Sequence, residues 1–92
     1  MRRIYKYPLI TTDAQLIELP VGSSVLSVID QNDCIMLYAL VDDEVVEKQP
    51  YKISIHGTGH NAYEATPGEF VGTVVLYDNA LVFHVFARGL CC

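Results

Sequence analysis

Turn-forming or polar clusters punctuate this chain at Thr11-Thr12-Asp13, Pro20-Val21-Gly22-Ser23-Ser24, Asp30-Gln31-Asn32-Asp33, the acidic stretch 42–50, Gly57-Thr58-Gly59, Pro67-Gly68 and Asp78-Asn79, and the internal segments between them are shorter than an average helix. The segments left between them are short, apolar or alternating. Residues 51–56 alternate strictly, with Tyr51, Ile53 and Ile55 on one face and Lys52, Ser54 and His56 on the other. Residues 3–7, 14–19, 25–29, 34–41, 51–56, 70–77 and 81–87 therefore read as strands. Pro8 ends the first or confines it to a sheet edge. Helical periodicity is weak throughout, with residues 63–65 forming at most one short helical turn before Pro67. The expected fold is mostly β, a single small antiparallel sandwich or barrel of about seven strands over residues 1–92, with no internal repeat and no linker.

Residues 34–41 are apolar on both parities, so this strand should be covered on both faces, by the core on one and by a helix, second sheet or second subunit on the other. A homo-oligomer is the expectation. It agrees with a composition that is 51% hydrophobic and only 18% charged, against about 25% charged in an average domain. The apolar run is far shorter than the roughly 20 residues that span a bilayer, and MRRIYKYP lacks an apolar signal core. These readings predict a soluble, intracellular protein with no membrane partner. Cys34, Cys91 and Cys92 show neither a disulfide framework nor zinc-ligand spacing and are read as reduced thiols.

Eleven acids against six bases give a net charge of −5, which disfavours a nucleic-acid polymer as partner. The charge is uneven. Arg2, Arg3 and Lys6 hold half the bases within six residues, while Asp42, Asp43, Glu44 and Glu47 form an acidic block, so a local basic site for a small anion is still available.

The segment His56-Gly57-Thr58-Gly59-His60-Asn61 concentrates polar chemistry between two strands. Glycine there either lets the backbone approach an anion or merely supplies positive φ in a tight turn. A P-loop and a dinucleotide fingerprint are excluded, because each needs a following helix and here Pro67-Gly68 and a strand follow. His56 and His60 lack a third ligand, so no metal or other cofactor is expected. As an acid/base pair they would suit a small histidine-dependent phosphodiesterase, with Glu64 orienting one imidazole, but no nucleophile accompanies them. His84 lies in an apolar strand, where a buried, hydrogen-bonded role is the commoner one. Six tyrosines outnumber three phenylalanines, and tyrosine offers both a stacking face and a polar tip. Stacking on a nucleobase, with a base such as Arg3, Lys6 or Lys52 at a phosphate, would use that chemistry, as would packing at a protein interface.

The ordered combination RRIYKYPLITTDAQLIELPVGSSVLSV, a polar hairpin, CIMLYALV, YKISIHGTGHN, PGEFVGTVVL and ALVFHVF resembles the short, functionally uncharacterised accessory proteins of tailed phages and prophages. Lys6-Tyr7-Pro8-Leu9, Gly57-Thr58-Gly59-His60, Gly72-Thr73 and His84-Val85-Phe86 carry the match, and residues 42–50 and 88–92 depart from it. The resemblance implies a phage accessory protein made in the host bacterial cytoplasm. Such proteins fall mainly into sponges for immune nucleotides and protein inhibitors of host enzymes. The first class implies non-catalytic capture of a small nucleotide-derived ligand, cyclic nucleotide or cyclic ADP-ribose in type, by Gly57, Thr58, Gly59, His60 and Asn61 with Arg3, Lys6, Lys52 and Tyr5. The second implies a host protein as partner, met by the acidic block.

Overall fold

The computed structural model describes residues 1–90, so Cys91 and Cys92 lie outside the described residues, while Cys34 is an exposed free thiol. The described residues form seven strands: β1 (Arg2–Leu9), β2 (Gln15–Pro20), β3 (Ser24–Gln31), β4 (Cys34–Asp42), β5 (Lys48–Gly57), β6 (Glu69–Leu76) and β7 (Leu81–Gly89). A single 3₁₀ turn, Tyr63–Ala65, interrupts the connection from β5 to β6. Among the described residues no helix is long and apolar enough to cross a membrane.

The strands form two antiparallel sheets, ordered β1-β4-β3 and β2-β5-β7-β6. No ladder joins them, so of the two expected architectures the chain adopts the sandwich. Alternation decides what fills it. Ile35, Leu37, Ala39 and Val41 point inward from β4 and meet Ile53, Ile55, Val74, Leu76 and Val85 of the other sheet. Each large aliphatic side chain removed from water there contributes about 1.5–3 kcal/mol before the entropy of ordering it.

Local chemistry sets the turns. Asn32 and Asp33 both have positive φ and form the two-residue β3–β4 hairpin, so Asp30 and Gln31 of the polar cluster continue the strand. The β6–β7 turn is longer than a two-residue reading of Asp78-Asn79. Tyr77, Asp78 and Asn79 all take positive φ, the Ala80 N–H donates to the Tyr77 carbonyl, and Tyr77 leaves the strand. The Tyr77 N–H then donates to Asp33 Oδ1 at 2.9 Å, which ties the two hairpins together at one end of the sandwich. Pro8 lies within β1, and β1 is an edge strand where its missing N–H costs little.

Of the covers expected for the second face of β4, neither a helix nor a second sheet lies there among the described residues. Met36, Tyr38 and Leu40 are only half-buried, and their cross-strand neighbours Ile4 and Ile29 are 60% and 44% exposed. Among the described residues nothing folds over the outer face of the three-stranded sheet.

Candidate functional site

Residues 57–60 close a β-turn in which the His60 N–H donates to the Gly57 carbonyl at 3.0 Å and Gly59, at φ +84°, occupies the position that requires a left-handed residue. The His60 ring lies across Gly57, where an added Cβ would come within 2.8 Å of Nδ1. The Thr58 N–H donates to the Val82 carbonyl, and its hydroxyl meets His84 Nε2 at 2.7 Å. His84 Nδ1 is met in turn by the Thr73 hydroxyl at 3.0 Å. The backbone N–H of Thr58, that of His60 and the Thr58 hydroxyl are therefore spent inside the protein. His84 is a half-buried strut between the turn and β6 rather than a residue of the sandwich interior.

The basic and aromatic residues expected around this turn are dispersed. Gly57 pairs with Phe83 beside the tied hairpins, whereas Arg3 pairs with Val41 at the other end of β4. Seven residues of extended strand separate Val41 from Cys34, about 24 Å at a strand's rise. The Arg3 guanidinium is held by Asp43, whose carboxyl it keeps below the usual carboxylate range. Lys6 lies on the outer face of the three-stranded sheet and bonds Gln31 at 3.3 Å. Tyr5 is exposed on the edge strand β1. Period-2 alternation and strand direction, which the spacing alone does not reveal, keep Arg3, Tyr5 and Lys6 away from the turn within one chain.

Lys52 and Asn61 do stay with it. Residues 58–68 fold back over the outer face of the four-stranded sheet, pinned by an ion pair between Lys52 and Glu64 and by the Asn61 Oδ1, which accepts the Tyr63 N–H at 2.9 Å. The Lys52 ammonium donates to Glu64 and holds its carboxyl below the ordinary range. Gly68 permits the close fit, since a Cβ there would lie 2.9 Å from the Ala65 carbonyl oxygen and 3.3 Å from Phe86 Cβ. Beneath this cover Ser54 and His56 are buried although both belong to the outward parity of β5. Asp13, His56, Asn61, Tyr63 and Glu64 line a cavity of about 250 Å³. His60 lies exposed in the turn and His56 is sealed on the sheet, so the two imidazoles occupy different environments.

A larger cleft of about 460 Å³ opens at the far end, along the seam between β3 and β6. Both strands are edges, and both are bulged there, β3 between Val25 and Ser27 and β6 between Phe70 and Gly72. Gly72 lets the strands approach, as a Cβ would sit 3.0 Å from Val28 Cγ2, and beyond that point the bulges part them. Ser24, Tyr51, Phe70, Val71 and Arg88 are among the lining residues. Phe70 is 61% exposed and packs edge-on against Phe86, while Arg88 makes no ion pair among the described residues. Sequence reading passed over these residues because Phe70 and Arg88 lie at strand ends with no motif around them.

A domain of unknown function, DUF7352, matches residues 1–90. The chain belongs to the DUF7352 family. That match runs through both cavities and all seven strands, so cleft, turn and cover fall within one family domain. No curated protein and no solved structure matches the chain.

Proposed function

We propose that this chain is a non-catalytic binding protein that captures a small nucleotide-derived ligand, of cyclic nucleotide or cyclic ADP-ribose type, in the cleft between β3 and β6. The observation that carries the reading is the pairing in that cleft of an exposed aromatic ring, Phe70, with an arginine that makes no ion pair among the described residues, Arg88. An aromatic face stacks on a nucleobase, and a guanidinium takes a phosphate in bidentate fashion. Ser24 supplies a hydroxyl, and the two bulges interrupt ladders and free backbone groups at the rim. The volume falls within the range of small-molecule sites, about 300–1,000 Å³. The Gly57-Thr58-Gly59-His60 turn then serves to hold the fold, because its bonded donors are used internally.

In this reading the protein works as a phage-encoded sponge in the host bacterial cytoplasm and lowers the free concentration of an immune signal. Calorimetry against a panel of cyclic nucleotides and cyclic ADP-ribose isomers tests it. One member should bind, Arg88→Ala and Phe70→Ala should each weaken it by about tenfold or more, and Thr58→Val should not. Heat-released ligand of unchanged mass excludes turnover. A silent panel, or loss of binding in Thr58→Val alone, overturns the assignment to the cleft.

The bare outer face of the three-stranded sheet favours a second reading, in which Ile4, Ile29, Met36, Tyr38 and Leu40 meet another protein surface, a second copy or a host enzyme. Sedimentation of the purified chain separates these cases. A homo-oligomer sediments above 10.2 kDa without other components, and a host inhibitor retains a stoichiometric partner from lysate.

A further inference from the structure

Four strands are sheet edges, and among the described residues β1 is the long one that nothing closes. β3 and β6 meet along the seam, where Val28 fills the space beside Gly72, and both are bulged. β2 has only six residues and ends at Pro20. β1 runs eight residues in unbroken register on β4, and all of residues 2–6 are exposed. Tyr5 shows what is missing there. It lies on the inward parity, opposite fully buried Ala39, yet is 44% exposed.

The ladder fixes which backbone groups point away from β4. The Asp43 N–H donates to the Met1 carbonyl at 3.1 Å, one step beyond the Arg2–Asp42 pair, which makes Arg2 and Asp42 a non-hydrogen-bonded pair. Arg2, Ile4, Lys6 and Pro8 therefore turn their backbone groups outward, where β1 has no neighbouring strand. Only Pro8 lacks a donor in that row. Such a row is a template for another strand.

We propose that β1 pairs antiparallel with β1 of a second copy, about a two-fold axis through Tyr5, joining the two three-stranded sheets edge to edge. An axis normal to the sheet opposes residues of equal parity, so it passes through a residue. The charges choose which. An axis through Ile4 sets Arg2 against Lys6, and one through Arg3 or Lys6 sets that cation against itself. An axis through Tyr7 opposes Lys6 to Pro8, which cannot return a hydrogen bond. Through Tyr5, Ile4 faces Lys6, Arg3 faces Tyr7 and Arg2 faces Pro8, so no cation meets a cation. Ile4 and Lys6 then exchange both backbone bonds across the axis, and the Arg2 N–H donates to the Pro8 carbonyl of the second copy. The ring of Tyr5 packs beside its symmetry mate and loses its exposure, while Arg3 keeps Asp43. The β3–β6 cleft lies on the far side of each sandwich and stays open, so the pairing does not depend on what the cleft binds. It uses the sheet edge, and Ile29 on the outer face of β3 takes no part.

Sedimentation of the full chain from micromolar to submillimolar concentration should show a dimer of twice 10.2 kDa. Ile4→Pro removes an outward donor and leaves the β4 ladder whole, so it should give a folded monomer by sedimentation and circular dichroism. Ile29→Ser should keep the dimer. The register is read by cysteine crosslinking with diamide in a Cys34→Ser, Cys91→Ser, Cys92→Ser background, and this arm holds whether or not Ile4→Pro folds. Tyr5→Cys should crosslink, because Cα atoms of a non-hydrogen-bonded pair lie about 4.5 Å apart. Ile4→Cys, diagonal to its mate at about 7–8 Å, should react about tenfold more slowly or less. A monomer at every concentration, a dimer that survives Ile4→Pro or dissociates in Ile29→Ser, or faster crosslinking of Ile4→Cys than of Tyr5→Cys would each overturn the proposal.

Discussion

The outer faces of the two sheets differ both in the side chains they present and in what covers them. On the four-stranded sheet, residues 58–68 return across β5 and β7, so that Ser54 and His56, on the nominally solvent parity, are buried. On the three-stranded sheet no described segment returns, and Ile4 and Ile29 stand open beside half-buried Met36, Tyr38 and Leu40. The polar strand face is thus covered and the apolar one bare, the reverse of what hydrophobicity alone would arrange. Cover on the first face comes from specific bonds, Lys52 to Glu64 and Thr58 to His84. The bare second face is what a partner would bury.

Breaking the core that both faces share should cost most. Leu37→Ala removes a fully buried side chain from the middle of β4 and should lower unfolding stability by about 2–5 kcal/mol in denaturant titration. Gly68→Val attacks the covered face alone by driving a side chain into the Ala65 carbonyl and Phe86. It should cost about 1–3 kcal/mol, with hydrogen exchange rising over residues 58–68 before the core. Thr73→Val takes one hydroxyl from His84 and should cost about 0.5–1.5 kcal/mol in the same titration. On the bare face, Ile29→Ser should change the stability of an isolated chain by no more than about 0.5 kcal/mol, and any larger concentration-dependent loss reveals a self-associated state.

The Lys52–Glu64 pair adds a pH dependence of known sign. Glu64 titrates below its ordinary value in the folded chain because Lys52 donates to its carboxylate, so the pair's stabilisation is fully present above the unfolded carboxylate range. It is lost as pH falls through the lowered folded value. Thermal midpoints of Glu64→Gln should therefore fall less than those of the parent between neutral and acidic pH, by a small margin because the pair is open to solvent.

Much of the fold could be read along the chain because strand parity and turn chemistry are local. The strict alternation of residues 51–56 places Ile53 and Ile55 in the core, and Asn32-Asp33 takes the positive φ its residue types tolerate. The site was less legible. Thr58 and His60 had the right chemistry for an anion, yet their bonding partners, Val82 and His84 for the first and Gly57 for the second, depend on how the turn sits on β7. Phe70 and Arg88 carry no motif and gain meaning only from the bulges that open the seam beside them.

The sequence by itself determined that this chain is a small antiparallel β domain, since period-2 patterning and frequent turn residues act within a few positions of one another. Only the tertiary structure decided between sandwich and barrel, separated Arg3 from the Gly57–His60 turn, and left His56 buried with both nitrogens unpaired among the described residues. Those outcomes rest on which strands lie side by side and which segment folds over which face. Pairing between residues far apart in the chain, as between Arg3 and Val41 or Tyr77 and Asp33, is fixed by packing of the whole molecule and leaves no local mark.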